Sequence, residues 1–277
     1  MKRRTLLLAV ALIATCIIAA RASSLNVVHS WLSYAMQMFT RNHLPLPYPA
    51  PPAPAPWQTM NAADRLVDVR SRLLPKLHDE LAAKQLKLGQ PAFFRIFKET
   101  RELELWLKDD SNHWQLFRTY PIACFSGTLG PKTKEGDMQA PEGFYSVTPP
   151  QLNPMSRYHL SFNIGYPNAY DRAHQRTGSL IMIHGDTCSV GCFAMTDPLI
   201  EEIYLIVEAA LKTTPSVPIH IFPYRMTADR MQQEQSSPHF DFWQNLRAAH
   251  DLFEQHHRVP TISLQNGHYH IQLNTEH

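Results

Sequence analysis

The rhythm of apolar positions divides the chain. Leu6 to Ala20 is an almost uninterrupted apolar run. Its core of about 15 residues falls short of the roughly 18 to 20 that span a bilayer. Across residues 61–88, Leu66, Val67, Val69, Leu73, Leu74, Leu77 and Leu81 recur at three-to-four spacing, which predicts a helix. Asn61 suits its N-cap, Pro75 predicts a kink and Gly89 a stop. From Ala92 the period changes to two: Phe94/Ile96 and Leu103/Leu105/Leu107 alternate with polar residues, as half-buried strands do. Further strands are expected at 114–124, 143–148, 158–164, 179–184 and 217–222, most of them separated by Gly- and Pro-containing turns. Many short strands in this layout predict a β-rich mixed α+β domain, a β-sandwich or similar mixed sheet. One helix interrupts them, capped at Asp197-Pro198 and running to about Lys212. After Arg225 a small extension is expected, with a helix at 240–256 and a hairpin around Asn266-Gly267.

The start of the chain predicts its compartment. Lys2, Arg3 and Arg4 precede the apolar run, and Ala20-Arg21-Ala22 offers a small-x-small cleavage site. This is the layout of a secretory signal peptide over residues 1–22, so a periplasmic protein is expected; an uncleaved anchor in the inner membrane is the alternative. A lipoprotein reading at Cys16 is rejected, because Thr15 is a poor residue before a lipidated cysteine. Prolines at 45, 47, 49, 51, 52, 54 and 56 then predict a semi-rigid polyproline spacer within residues 23–57. An SH3-type ligand is the sharper alternative and does not suit an exported bacterial protein.

Charge changes the picture little. The chain has 26 Lys+Arg and 24 Asp+Glu; without the four basic residues of the signal, 22 face 24. No basic face or run suggests a nucleic-acid partner. Three cysteines remain after cleavage, Cys124, Cys188 and Cys192, so at least one thiol stays free or pairs between chains.

The chemistry concentrates in Ser179–Met195. Four apolar residues deliver His184-Gly185 at a strand end; Gly191-Cys192 follows, and a helix starts soon after. A tight loop can bring His184 beside Cys192 as base and nucleophile. Gly191 would let the backbone approach a substrate, and amides around Cys192, including that of Val190, would stabilise an oxyanion. Spacing alone leaves two other readings open. His184, Cys188 and Cys192 recur every four residues, as three metal ligands would. A Cys188–Cys192 disulfide would block the nucleophile.

His184-Gly185 followed by Ser189-Val190-Gly191-Cys192 resembles the active-site signature of the YkuD-type L,D-transpeptidases. Ala140-Pro141-Glu142-Gly143-Phe144-Tyr145 is similar to a strand start of that family. Ile96–Glu99, Gly130-Pro131-Lys132 with Glu135-Gly136-Asp137, residues 163–174 and residues 222–227 resemble its YafK-like branch. The resemblance covers about residues 90–260. It implies a catalytic β-sandwich over 92–223 with one capped helix after the active-site cysteine. An N-terminal helical segment over 58–91 and a helix-hairpin extension over 224–277 would flank it. It also implies an acyl-enzyme on Cys192, formed at the L-centre carbonyl of diaminopimelate in peptidoglycan stem peptides, with His184 as base and the Gly185 carbonyl holding the imidazole. No cofactor or metal is expected. A histidine near its ordinary pKa of ~6.5 and a thiolate formed well below ~8.5 would suit this chemistry.

Two departures stand out. Val190 replaces the second histidine of the wider family, and Ala194 the usual Arg or Asn. Both leave room for a hydrolase that releases a peptidoglycan-linked outer-membrane lipoprotein by cutting its diaminopimelate–Lys bond. Arg157, Tyr170, Arg172 and His174 are weaker candidates for binding substrate carboxylates. Cys124 is expected as a buried core thiol, and Trp243, Phe253 and Tyr269 as core. A catalytically dead wall-binding module is the rival of a different class; the presence of both His184 and Cys192 speaks against it.

Overall fold

A computed structural model describes residues 55–273; the expected signal peptide and nearly all of the spacer lie outside the described residues. Strands β1 (Ala92–Phe97), β2 (Glu102–Lys108), β3 (Trp114–Pro121), β4 (Gly143–Val147) and β9 (Val217–Phe222) form a five-stranded sheet in the order β3-β2-β1-β9-β4. Its pairs are antiparallel except β1 with β9, where Phe94 faces Ile219 and Phe97 faces Phe222. β5 (Leu152–Asn153), β6 (Ser161–Asn163), β7 (Met182–His184) and β8 (Phe193–Ala194) form a second sheet in chain order, with β7 and β8 parallel. Phe94 of the first sheet stacks on Phe162 of the second, ring centroids 6.3 Å apart, within one buried core. This is the expected β-rich α+β architecture.

The helices follow their apolar faces. α1 (Ala62–Ala82) starts at Asn61, whose side chain accepts the Asp64 amide at 2.9 Å, and it continues through Pro75. It ends before the expected span does, and Gly89 lies beyond it in a turn at φ 94°. A short helix, α2 (Ala169–Ala173), was not foreseen; five residues are too few to show a period. α3 (Asp197–Ala210) buries Ile200, Ile203, Tyr204 and Val207. Its N-cap is Thr196, not Asp197-Pro198, because the Asp197 carboxylate is committed elsewhere: Oδ2 accepts from Trp57 Nε1 at 2.9 Å and Oδ1 from the Asp186 amide at 2.8 Å. Trp57 thereby binds the end of the proline-rich stretch to the domain, within a 3₁₀ turn (Pro56–Thr59).

The C-terminal part belongs to the same compact unit as the sheets. α4 (Ala228–Gln233) and α5 (Phe240–His256) are followed by the hairpin β10 (Thr261–Gln265) and β11 (His268–Gln272). Trp243, Phe253 and Tyr269 are buried as expected. Cys124 is not a core thiol: β3 stops at Pro121, and Cys124 forms a half-buried bridge to Ala194 of β8.

The first sheet, the Gly130 loop and α5 meet at a salt bridge fully removed from solvent. Lys98 Nζ donates to Glu142 Oε1 (2.9 Å), Gly130 O (2.9 Å) and Ala140 O (3.0 Å), which uses all three of its protons. Glu142 also accepts the Gly130 amide and Trp243 Nε1, each at 2.7 Å. Burial pushes the Lys98 ammonium below its ordinary pKa, and the Glu142 carboxylate opposes this. Removing one partner strands the other charge in the core. Lys98→Met is therefore expected to cost about 3–5 kcal/mol in denaturant-unfolding free energy; a loss below about 1 kcal/mol would contradict the assignment.

Candidate functional site

β7 ends at His184, and its three residues pair with β6: Met182 faces Asn163, Ile183 faces Phe162 and His184 faces Ser161. The chain must then turn in very little space. A Cβ on Gly185 would sit 2.5 Å from Asp197 Oδ1 and 2.6 Å from the Tyr158 carbonyl oxygen, so no side chain fits. The Gly185 amide donates to the Tyr158 and Leu160 carbonyls at 3.0 and 3.1 Å. The His184 ring, 2 % exposed, lies under the Tyr158 ring with centroids 4.7 Å apart. Its Nδ1 is 2.6 Å from the Gly185 carbonyl oxygen, as the resemblance implied. A carbonyl only accepts, so Nδ1 carries the proton and Nε2 is left as an acceptor.

Nε2 faces Ser189 Oγ at 3.4 Å. Ser189 is also near enough to the Cys192 thiol to pull its pKa down. Cys192 Sγ further accepts from the Met182 amide at 3.3 Å and lies 3.6 Å from the Leu180 carbonyl oxygen. The fold thus gathers His184, Ser189 and Cys192 at one place. That serine stood in the motif, yet spacing gave it no role.

Electrostatics correct a second expectation. Burial raises the Cys192 thiol above its ordinary pKa, and the Met182 amide, Ser189 and the Lys132 charge only oppose this. Burial likewise lowers His184, against the pull of the Gly185 carbonyl and Asp186. Both shifts favour the uncharged forms, thiol and imidazole. The arrangement suits proton removal during attack.

The loop around the thiol is braced from outside. Gly191, at φ 80°, donates its amide to Ser126 Oγ at 2.7 Å, and Ser126 Oγ donates to the Met138 carbonyl at 2.6 Å. The Gly191 amide, expected as an oxyanion donor, is therefore occupied in the resting site and positions the loop. Val190 projects outward, 68 % exposed, at the rim of a hollow of about 140 Å³ that Lys132, Glu135, Leu180 and Gly191 also line. Ala194 is fully buried in β8, so its small size answers packing against Cys124.

The metal and disulfide readings gain no geometry. Among the described residues no three His, Cys, Asp or Glu side chains converge as metal ligands, and Cys188 and Cys192 are free thiols. The four carboxylate-binding candidates do not gather at the thiol. Tyr170 is buried between His174 and Tyr269, at centroid distances of 4.0 and 4.4 Å. His174 Nδ1 pairs with the Tyr170 carbonyl at 2.9 Å, and Arg172 donates to the Pro167 carbonyl. Tyr170 and Arg172 line a separate hollow of about 500 Å³ whose walls include neither Cys192 nor His184. Arg157 is exposed next to Tyr158.

A buried histidine and a half-buried thiol at the ends of neighbouring strands define a candidate cysteine-dependent active site, and comparison with known proteins agrees on the class. The YkuD profile, the L,D-transpeptidase catalytic domain, matches residues 94–221. The chain is 47 % identical over 195 residues to "Putative L,D-transpeptidase YafK" of Escherichia coli K12, covering 70 % of this chain and 79 % of that protein. The protein of that name in Escherichia coli O157:H7 matches to the same extent. The chain belongs to the L,D-transpeptidase family. Among solved structures, the helical cell shape determining protein Pgp2 (K307A mutant) of Campylobacter jejuni aligns at 17 % identity with a TM-score of 0.41, over 76 % of this chain and 81 % of that one.

A thiol raised by burial should alkylate slowly at neutral pH and faster as pH rises. With iodoacetamide, and modification of Cys192 followed by peptide mass mapping, the rate is expected to climb through and beyond the ordinary thiol range of about 8.5. A plateau reached by pH 7 would instead reveal a preformed thiolate–imidazolium pair.

Proposed function

We propose that the chain is an exported peptidoglycan enzyme that forms an acyl-enzyme on Cys192 at the L-centre carbonyl of diaminopimelate in stem peptides. The observation that carries this reading is the gathering of Cys192, Ser189 and His184, with His184 Nδ1 fixed by the Gly185 carbonyl and Nε2 left facing the Ser189 hydroxyl. As sulfur attacks the carbonyl carbon, the thiol proton passes to His184 Nε2. The C–S bond forms and the amide C–N bond breaks. The leaving amine takes the proton back from the imidazolium. An acceptor amine or water then attacks the thioester, and the sulfur leaves with its electron pair.

Transfer and hydrolysis share this acyl-enzyme and differ in what resolves it. In transfer the acceptor is the amine of a second stem peptide. In hydrolysis it is water, and the leaving group can be the terminal Lys of a wall-linked lipoprotein. Family membership and the 47 % identity over most of the catalytic region support the acyl-enzyme common to both.

Purified sacculi incubated with wild type and with Cys192→Ala, followed by mass spectrometry of the muropeptides, test the reading. New crosslinks between two diaminopimelate residues indicate transfer, and loss of lipoprotein-derived stubs indicates hydrolysis. Cys192→Ala is expected to abolish either change; an unchanged muropeptide profile with wild type on both substrates would sink the proposal.

We also read residues 1–22 as an export signal. N-terminal sequencing of protein recovered from the periplasm is expected to start after Ala22. Recovery only in the cytoplasm with Met1 or Lys2 retained would overturn this.

A further inference from the structure

We propose that the small hollow beside Cys192 is a subsite for a zwitterionic amino-acid head group, with Lys132 receiving its carboxylate and Glu135 its ammonium. The proposal rests on the peptidoglycan reading above and deepens it: the head group would be the free D-centre of the diaminopimelate whose L-centre carbonyl is attacked.

Lys132 is built in. Its side chain is 5 % exposed. Gly178, at φ 124°, makes room for its stem, since a Cβ there would lie 2.9 Å from Lys132 Cε. Nζ donates to Asp137 Oδ1 at 2.6 Å and to the Lys134 carbonyl at 2.9 Å. An ammonium has three protons; the third has no hydrogen-bond acceptor among the described residues, and the Tyr166 ring lies beside the ammonium at 5.8 Å. Asp137 does not quench the site. Its carboxylate also accepts the amides of Thr133, Lys134 and Gln139 at 2.9, 3.0 and 3.1 Å, so it holds the ammonium by a single contact. The result is a rigid, nearly dry cation with one donor to offer. In such surroundings a charged hydrogen bond is worth more than in water.

The other walls complete the match. Glu135 lines the same hollow; its amide is fixed by Thr177 Oγ1 at 3.1 Å, while its side chain is exposed and has no partner among the described residues. Leu180 and Val190, 70 % and 68 % exposed, form an apolar rim beside the thiol. They suit the methylenes that separate the two centres of a diamino acid. The hollow of about 140 Å³ has room for about four waters at ~30 Å³ each, the scale of an amino-acid head group. Lys132 is also close enough to Cys192 for its charge to act on the thiol, so the subsite and the reacting sulfur share one electrostatic neighbourhood.

The two roles of Lys132 separate by substrate. Soluble stem peptides are prepared with the D-centre carboxylate free or converted to the carboxamide, and kcat/KM is measured on both. Wild type is expected to favour the carboxylate by about ten- to a hundredfold, the value of one charged hydrogen bond, and Lys132→Gln to erase that preference. Glu135→Gln, a change at an exposed position, is expected to erase the preference for a free over an N-acetylated D-centre amine. Equal turnover of carboxylate and carboxamide by wild type overturns the proposal, even if Lys132→Gln fails to fold. Equal loss on both substrates in Lys132→Gln also overturns it, by limiting the residue to the thiol or the fold. In either case, turnover that still requires Cys192 leaves the acyl-enzyme reading standing; turnover that survives Cys192→Ala removes both.

Discussion

The Lys98–Glu142 salt bridge is the constraint from which the site hangs. Lys98 follows directly on β1, and Glu142 directly precedes β4. Between them in space lies the loop of residues 126–142, which has almost no regular structure of its own. A loop of this length needs partners for its backbone groups. The salt bridge supplies them at Gly130 and Ala140, and the Ala140 amide donates to the Ser126 carbonyl at 3.1 Å. Ser126 then holds the Gly191 amide, one residue before the thiol. A buried charge pair is weak as a source of stability and strong as a specifier, because any other placement of the loop leaves an ion unpaired in the core.

The same pair explains why the C-terminal extension is part of the catalytic unit. Trp243 Nε1 reaches Glu142 from α5. Arg95 of β1 repeats the device one turn away, paired with Glu104 at 2.9 Å and with Glu254 of α5 at 2.7 Å, and layered against Phe97, Trp106 and Phe253. Two buried cations on consecutive stretches of chain thus bind one helix that begins more than a hundred residues later. Asp197 works similarly on the other side, joining Trp57 to the turn after His184.

Within this frame the reacting groups are kept neutral. A core that excludes water enough to fix His184 and Cys192 also penalises their charged forms. The geometry opposes this with a defined tautomer at His184, a hydroxyl at Ser189 and a nearby ammonium at Lys132.

Much of this was determined by the sequence alone, because it is written in local order. Period-two alternation located β1 and β2, and short segments between turns located β4 and β9; the three-to-four spacing located α1 and α3; residues 240–256 and the Asn266-Gly267 turn marked α5 and its hairpin. The reacting pair was equally local: His184 and Cys192 are eight residues apart around one turn, and the Gly185 carbonyl is adjacent to the histidine it holds. What only the tertiary structure decided are relations between distant segments. Ser126 meets Gly191, Lys132 approaches Cys192, and Tyr158 covers His184, each across a separation that no period or spacing encodes. Burial is the other such quantity. It favoured the uncharged forms of the His184–Cys192 pair, occupied the Gly191 amide, and placed Tyr170 and Arg172 at a different hollow. The physical reason is that a pKa, a free N–H or an accessible face depends on what the rest of the chain packs against it.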